Sequence, residues 1–286
     1  MSNSYRYDAS VKSHVSDELI NTYLLRPIAS VLVGFLYPTR VTPNQVTIAS
    51  TIAGLCAGVA YAWGGPGAVA AGGILVTLKD LLDSADGQLA RARNQYSRQG
   101  RFLDSIGDFL ANVAIFSGIA WTLFHSTGNP LAWVWGFLAF AGITLRVSYH
   151  VFYHTSYLHL QGSYEINRIT EEKRAEDLEE DATTRILQTV FQVFYGWQDR
   201  LMVKIDTVCR SGRSEPRFLE RWYSDRIALR LSGFLGFGTE LFILMLCSVF
   251  YRLDLYLLLN LVAMNAIVAL SFLYRRMVLR KRLEAE

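Results

Sequence analysis

Four aspartates stand in two close pairs in a chain of 286 residues, of which 51% are hydrophobic. Asp83 and Asp86 are three positions apart and Asp104 and Asp108 are four apart, so on helices each pair lies on one face. Carboxylates at close quarters repel one another unless a cation lies among them, and ligand sets made only of oxygens suit Mg²⁺, Mn²⁺ or Ca²⁺ rather than Zn²⁺. The two pairs therefore predict a site for divalent cations.

Three further residues of the same stretch suit an anionic ligand. Gly87 and Gly100 leave the backbone open to close approach, and Arg91, one turn after Gly87, could bind a phosphate. Cation ligands, open backbone and a guanidinium group together indicate a diphosphate site. The structural alternative is that the carboxylates cap helices or pair with nearby arginines. An unpaired aspartate at mid-bilayer costs roughly 2.5–3.5 kcal/mol, and less near the boundary, so energy alone does not exclude this alternative.

The full stretch resembles the signature of the CDP-alcohol phosphotransferase family. It has the form D-x2-D-G-x2-A-R-x8-G-x3-D-x3-D, and the resemblance extends from about residue 17 to 275. A bare DxxDG is a weak signal, whereas eight matching residues over 26 positions between two predicted spans are specific. The eight positions are filled by Asp83, Asp86, Gly87, Ala90, Arg91, Gly100, Asp104 and Asp108.

The resemblance implies metal-dependent transfer of a substituted phosphate from a CDP-linked donor to an alcohol, with release of CMP. It implies that the first three aspartates bind two divalent cations, usually Mg²⁺ or Mn²⁺. Asp108 would help to hold a metal and would activate the acceptor hydroxyl. Gly87, Ala90 and Arg91 would contact the nucleotide, and Gly100 belongs with them through its open backbone. A homodimer is also implied.

The stretch TPNQVT at residues 42–47 is similar to one that precedes the first span in this family. The resemblance implies that Pro43, Asn44 and Thr47 border the donor pocket. The structural alternative is helix initiation, with Thr42 as N-cap and Pro43 in the first turn. We rank capping first, although both roles can hold together.

Six apolar segments must position these residues. The length of each segment is near the ~20 residues that a helix needs to cross ~30 Å of hydrocarbon. The segments therefore predict an all-α integral membrane protein with six transmembrane helices. Basic residues gather on one side of these segments, which by the positive-inside rule places both termini and the active site in the cytosol, with the spans in the cytoplasmic membrane. The segments are 44–63, 67–90, 102–125, 130–153, 226–251 and 255–274.

Two other segments have an apolar stripe at helical spacing. The first covers residues 19–35 and continues across Pro27, which predicts a kinked helix lying on the membrane. The second has six apolar residues on one face, namely Val190, Phe194, Trp197, Leu201, Ile205 and Val208. Packing on the protein's own cytosolic side is as good an interpretation as lipid contact, and residues 171–181 between the two segments are expected to be solvated.

These elements predict four parts of the chain. Residues 1–43 form a cytosolic N-terminus with the interfacial helix, and residues 44–153 form the first four spans with the motif. Residues 154–225 form a cytosolic helical insertion with an amphipathic helix. Residues 226–286 form the last two spans and a basic tail.

Several polar residues outside the motif are candidates for other roles. Arg146 and Arg230 lie near the predicted cytosolic boundary and could bind an anionic acceptor, although snorkelling to the interface is an equal alternative. Glu240 lies inside the fifth span, where a buried hydrogen bond is favoured over catalysis. Asp80 either supports the metal ligands or is solvated. A metal role for the histidines has little support; they are His150, His154 and His159.

Composition argues against several other classes of protein and of metal site. A net charge of only +3 gives no support to nucleic-acid binding, and three scattered cysteines argue against disulfides or a thiolate metal site. We expect no cleavable signal peptide. Two other functions stay open: an intramembrane prenyltransferase, and a transporter whose acidic cluster lines an ion path. The motif leaves the acceptor undecided between inositol phosphate, glycerol phosphate, serine and diacylglycerol.

Overall fold

The computed structural model describes residues 18, 20–162 and 170–285, and this part of the chain is helical without a strand. Five helices are long and apolar enough to cross a membrane. They are Pro43–Trp63, Arg98–Thr127, Leu131–Leu160, Arg226–Val249 and Leu253–Glu284. The predicted all-α membrane architecture is therefore confirmed at this level.

The helices follow one another with short connections. The first five are α1 (Arg26–Leu36), α2 (Pro43–Trp63), α3 (Pro66–Ala92), α4 (Arg98–Thr127) and α5 (Leu131–Leu160). The insertion and the fifth predicted span contain α6 (Ala182–Phe194), α7 (Gly196–Cys209), α8 (Pro216–Ser224), α9 (Arg226–Gly233) and α10 (Phe237–Val249). The last segment contains α11 (Leu253–Leu258), α12 (Asn265–Leu273) and α13 (Arg280–Ala285), joined by π-helical turns at Leu259–Met264 and Tyr274–Leu279.

The second predicted span forms as helix α3 but is not among the five candidates. Its 27 residues are long enough to cross a bilayer. Its second half carries Lys79, Asp80, Asp83 and Asp86, and these charges lower its hydropathy. The structure thus confirms the helix, whereas the count of six spans stays a prediction.

Helix α2 begins as its sequence predicts. The hydroxyl of Thr42 accepts a hydrogen bond from the backbone N–H of Gln45 at 3.3 Å. The side-chain oxygen of Gln45 accepts one in return from the N–H of Thr42 at 2.9 Å. Pro43 occupies the first turn, where its missing N–H costs nothing. This capping box confirms the structural interpretation of TPNQVT.

Helices α2 and α4 approach closely because glycines lie at their contact. A Cβ atom on Gly58 would lie 2.6 Å from the carbonyl carbon of Ala114, and one on Gly54 would collide with the side chain of Ala111. Small residues four apart allow helix backbones to pack tightly in a membrane. Helix α2 also packs against α3, so it holds both motif helices.

A π-helical turn precedes the proline at which the sequence predicted a kink. Residues Asn21–Leu25 are π-helical, and Pro27 follows in the first turn of α1. Proline has no N–H and its ring clashes with the carbonyl four residues earlier, so an extra residue in the preceding turn relieves the clash. One face of α1 packs through Ala29 and Val33 on the α2–α3 pair. Leu19, in the predicted stripe, lies outside the described residues.

The amphipathic segment of the insertion is divided into α6 and α7 at Tyr195. Its polar residues Gln188, Gln198 and Asp206 face the protein and are buried. Part of the apolar side is exposed, at Ile186, Val193, Trp197 and Val208. Other apolar residues of the pair, Leu201, Met202 and Ile205, pack against the core. The pair therefore buries both polar and apolar residues and exposes only part of its apolar stripe.

Candidate active site

Three of the motif aspartates meet at one point. Carboxylate oxygens of Asp83, on α3, and of Asp104 and Asp108, on α4, lie within 4.8 Å of one another. One oxygen of Asp83, Oδ1, is buried without a hydrogen-bond partner. A buried carboxylate oxygen without a donor, among other carboxylates, is the environment that a hard divalent cation fits.

Asp86 joins the same site in a different way. It is 7% exposed, and its Oδ2 accepts a hydrogen bond of 2.5 Å from the hydroxyl of Thr47 on α2. This bond turns one carboxylate oxygen toward α2 and fixes the side chain. Thr47 therefore acts on the acidic site from the neighbouring helix, although the sequence placed it only beside the donor pocket.

One cavity of about 410 Å³ brings the predicted residues together. All eight positions of the motif line it, from Asp83 to Asp108. Pro43, Asn44 and Thr47 line it as well, so the TPNQVT stretch both caps α2 and borders the cavity. Arg146 and Arg230 are not among its lining residues.

A side chain at the second motif glycine would press against two neighbouring side chains. Helix α4 begins after Ser97, whose hydroxyl accepts the N–H of Gly100 at 3.1 Å. A Cβ on Gly100 would lie 3.0 Å from the side-chain oxygen of Asn44 and 3.2 Å from the hydroxyl of Ser97. The glycine thus keeps this end of the cavity open between α2 and α4.

Sequence reasoning missed the role of Lys79, which it used only as a charge for topology. Lys79 is 1% exposed, and its ammonium group contacts Asp108 and lies 4.0 Å from Asp80. Asp80 is itself buried and lines the cavity, which rules out the solvated alternative. The available signal was the spacing, since Lys79 lies one helical turn before Asp83.

Arg93 has a structural role that separates it from Arg91. Its guanidinium group donates to the backbone carbonyls of Leu36 at 2.7 Å, of Thr39 at 2.9 Å and of Val41 at 2.5 Å. These bonds tie the end of α3 to the turn between α1 and α2. Arg93 therefore holds the N-terminal helix against the site, whereas Arg91 lines the cavity.

The acidic stretch before α6 is held against α4. Arg98 donates to Asp177 and Glu171, each at 2.9 Å, and to Glu180 at 2.7 Å. Arg101 also contacts Glu171, which is buried and lines the cavity. Most of residues 171–181 are exposed, as expected of a solvated stretch, but Glu171 and Asp177 are buried where they meet the two arginines in the first turn of α4.

Two residues of the insertion line the cavity and have shifted acidities. Burial raises the pKa of Asp199 to about 6, against the opposing effects of the Glu171 backbone N–H and of Arg101. Burial also raises the pKa of the Tyr195 phenol, which donates a hydrogen bond of 2.9 Å to the carbonyl of Ser105. Tyr195 is therefore a neutral donor that fixes the insertion to α4.

Arg146 is engaged inside the protein. It is 2% exposed, donates to both carboxylate oxygens of Glu240 at 2.5 and 2.7 Å, and donates to Asn265 at 2.8 Å. The buried hydrogen bond predicted for Glu240 is thus confirmed. Snorkelling of Arg146 was wrong, because this pair neutralises the guanidinium between α5 and α10. Arg230 is exposed.

The histidines do not assemble into a metal site. The rings of His150 and His154 stack at 5.6 Å between centroids, and both residues line the cavity. Within the described ranges, the group of residues that could hold a metal ion consists of Asp83, Asp104 and Asp108.

Comparison with known proteins finds a similar family over part of the chain. Residues 40–175 match the family model described as CDP-alcohol phosphatidyltransferase. This range contains the whole motif and the TPNQVT stretch. This match agrees with the resemblance found in the sequence.

Similar proteins come from bacteria and archaea. A phosphatidylinositol phosphate synthase of Cutibacterium acnes is 36% identical over 115 residues, which cover 38% of this chain and 50% of that protein. An archaetidylinositol phosphate synthase of Pyrococcus horikoshii is 36% identical over 123 residues, which cover 43% of this chain and 58% of that protein. A bifunctional IPC transferase and DIPP synthase of Aquifex aeolicus is 28% identical over 189 residues, which cover 66% of this chain and 41% of that protein. The chain thus spans about half the length of these relatives.

Proposed function

We propose that this chain, built on a CDP-alcohol phosphatidyltransferase domain, transfers a substituted phosphate from a CDP-linked donor to an alcohol and releases CMP in phospholipid biosynthesis. One observation carries the proposal. Carboxylates from two helices converge at one cavity that also exposes Gly87, Arg91 and Gly100. Such a site can hold a diphosphate, its counter-cations and an attacking hydroxyl at once.

The nucleotide of the donor binds at the α2 end of the cavity. Pro43, Asn44 and Thr47 line the cavity together with the motif residues Gly87, Ala90, Arg91 and Gly100. The guanidinium group of Arg91 donates to phosphate oxygens. The absence of side chains at the two glycines lets the nucleotide approach the helix backbones.

The four aspartates of the motif have different roles in the reaction. Asp83, Asp86, Asp104 and in part Asp108 hold two divalent cations, Mg²⁺ or Mn²⁺, which when bound neutralise the diphosphate. The acceptor hydroxyl attacks the phosphorus of the substituted phosphate, and the bond from that phosphorus to the CMP oxygen breaks. Asp108 takes the hydroxyl proton as the new bond forms. Thr47 keeps Asp86 oriented throughout.

The acceptor is an alcohol, and inositol phosphate is the first one to test. Two of the relatives above are named as synthases of inositol phosphate lipids, and CDP-diacylglycerol is the matching donor class. Acceptor binding by Arg146 and Arg230 stays a prediction. Arg146 would have to exchange its contacts with Glu240 and Asn265 to take part.

The membrane arrangement completes the proposal. Helix α3 also crosses the membrane, which brings the number of spans to six. Its charged residues lie at its cytosolic end beside the site. Both termini, the site and the insertion at residues 154–225 lie in the cytosol, and the exposed apolar side of α6 and α7 contacts lipid. The four predicted parts, 1–43, 44–153, 154–225 and 226–286, and a homodimer belong to this proposal.

Two other functions make different predictions. Intramembrane prenyltransferases also use aspartate pairs with Mg²⁺ but have two separated acidic motifs, whereas the described residues hold one group of that kind. A transporter would move its substrate across the membrane without changing it.

The test is to identify products by mass spectrometry after the purified protein is offered several CDP-linked donors with several alcohols. We expect CMP and one phosphodiester product that forms only with Mg²⁺ or Mn²⁺. Transfer of a prenyl group, or uptake into sealed vesicles of an unchanged substrate without CMP, would contradict the proposal.

A further inference from the structure

Lys79 is a buried cation at the edge of the acidic site. Its side chain runs past α2, where its Cγ lies 3.4 Å from the position of a Cβ on Gly54. Its ammonium group reaches Asp108 on α4 and lies 5.5 Å from the centroid of Phe237 at the start of α10. The backbone carbonyl of Lys79 accepts a hydrogen bond of 2.9 Å from Ser50. Three neighbouring helices therefore fix this lysine.

The carboxylates around Lys79 show how this lysine affects the acidic site. A buried ammonium group is stable only beside carboxylates, and Asp108 and Asp80 supply them. Asp108 also belongs to the group of three carboxylates that could hold a metal ion. Lys79 and a divalent cation must therefore share the Asp108 carboxylate.

We propose that Lys79 is a positioning residue that holds Asp108 for the acceptor hydroxyl and limits its use as a metal ligand. This inference rests on the proposed function. With Lys79 present, one carboxylate of the site is balanced by a fixed charge, and Asp83, Asp86 and Asp104 are left for the cations. Without Lys79, Asp108 turns wholly to the metal and no longer faces the acceptor.

The proposal predicts effects of opposite sign on metal binding and on turnover. Lys79→Met removes a positive charge beside the cations, so Mn²⁺ should bind more tightly, by on the order of tenfold or more. The same change should lower kcat, on the order of a hundredfold, because Asp108 is no longer held for proton transfer. A purely structural lysine would give weaker metal binding with the loss of activity.

The experiment measures Mn²⁺ binding by electron paramagnetic resonance and CMP release on the full-length protein, with thermal unfolding as the check on folding. Lys79→Arg keeps the charge and should bind Mn²⁺ as the wild type does. Lys204→Met removes a positive charge from an exposed position on α7 and should change neither quantity. In Lys79→Met/Asp108→Asn, the gain in Mn²⁺ affinity should disappear, because it acts through Asp108.

Mn²⁺ affinity that is unchanged or weaker in folded Lys79→Met would overturn the inference. Lys79→Gln carries the same expectation as Lys79→Met, and failure of both variants to fold would assign Lys79 a structural role instead. Absence of CMP release from the wild type would refute the proposed function, whereas the Mn²⁺ comparison would still decide the effect of Lys79 on the site.

Discussion

At the scale of single residues, spacing along a helix predicted which side chains meet. Asp83 and Asp86, and likewise Asp104 and Asp108, share a helix face, so two antiparallel helices were enough to bring them together. For Lys79, spacing indicated the helix face that it shares with Asp83 but not its contact with Asp108. Its partner Asp108 lies on another helix, and only the packing of α3 and α4 on α2 brings the two into contact.

Thr47 offers a test of how the metal ligands are held. Thr47→Val keeps the shape of the side chain but removes the hydrogen bond to Asp86. Groups that orient metal ligands are worth about 10–100-fold in metal affinity, so Thr47→Val should weaken Mn²⁺ binding by about that factor. Thr47→Ser keeps the hydroxyl and is the matched control. Equal Mn²⁺ affinity in both variants would mean that Thr47 does not orient Asp86.

At the scale of elements, the sequence predicted the helices better than the directions in which they face. The apolar stripe of residues 190–208 was expected on one helix, but Gly196 follows a break at Tyr195 and two helices form. Polar residues of α6 turn inward because Gln188 and Gln192 bind the acidic stretch before that helix. In α7, Leu201 and Ile205 of the apolar stripe pack inward as well. Helical periodicity finds such a face without telling which side meets protein.

Asp199 predicts a pH dependence of stability in this part of the fold. Burial raises its pKa from 3.8 to about 6, so the folded protein keeps a proton that the unfolded chain has lost. The free energy of unfolding should therefore fall as pH rises between these values. Asp199→Asn cannot ionise, so its stability relative to wild type should be greater at about pH 8 than at about pH 4. Thermal unfolding at both pH values measures this, and a pH-independent difference would contradict it.

The pair Arg146–Glu240 predicts a non-additive effect. Arg146→Met leaves the Glu240 carboxylate buried without its partner, which should cost about 3–5 kcal/mol of unfolding free energy. Arg146→Met/Glu240→Leu removes both charges and should cost much less. Denaturant unfolding in detergent measures both variants. If the double variant folds normally but has a raised KM for the acceptor alone, Arg146 binds the acceptor as the sequence suggested.

At the scale of the whole molecule, composition and helix length predicted an all-α membrane protein but not the number of spans. Helix α3 carries the charges of the site, so hydropathy alone does not distinguish a span with a catalytic end from a buried helix. The predicted orientation of the protein in the membrane depends on the side at which basic residues gather. Labelling experiments can measure this orientation directly.

Topology predicts where an impermeant thiol reagent can reach the chain. In a Cys56→Ser background, which removes the exposed native cysteine, Lys173→Cys in the insertion should react only after the membrane is opened. Ser126→Cys, at the opposite end of α4, should react from outside in intact cells. Labelling of Lys173→Cys from outside would reverse the orientation.

The central claim is that the aspartates hold divalent cations for transfer from a CDP-linked donor, with Asp108 as the base. CMP release by the purified protein over a Mg²⁺ titration, in wild type, Asp83→Asn and Asp108→Asn, tests it most directly. We expect wild-type release only with Mg²⁺ and an acceptor, and a fall in turnover of at least ~10²–10⁴ in Asp108→Asn at saturating Mg²⁺. Asp83→Asn should also require more Mg²⁺, because it loses a ligand. Release without metal, or near-normal turnover in either variant, would contradict the account.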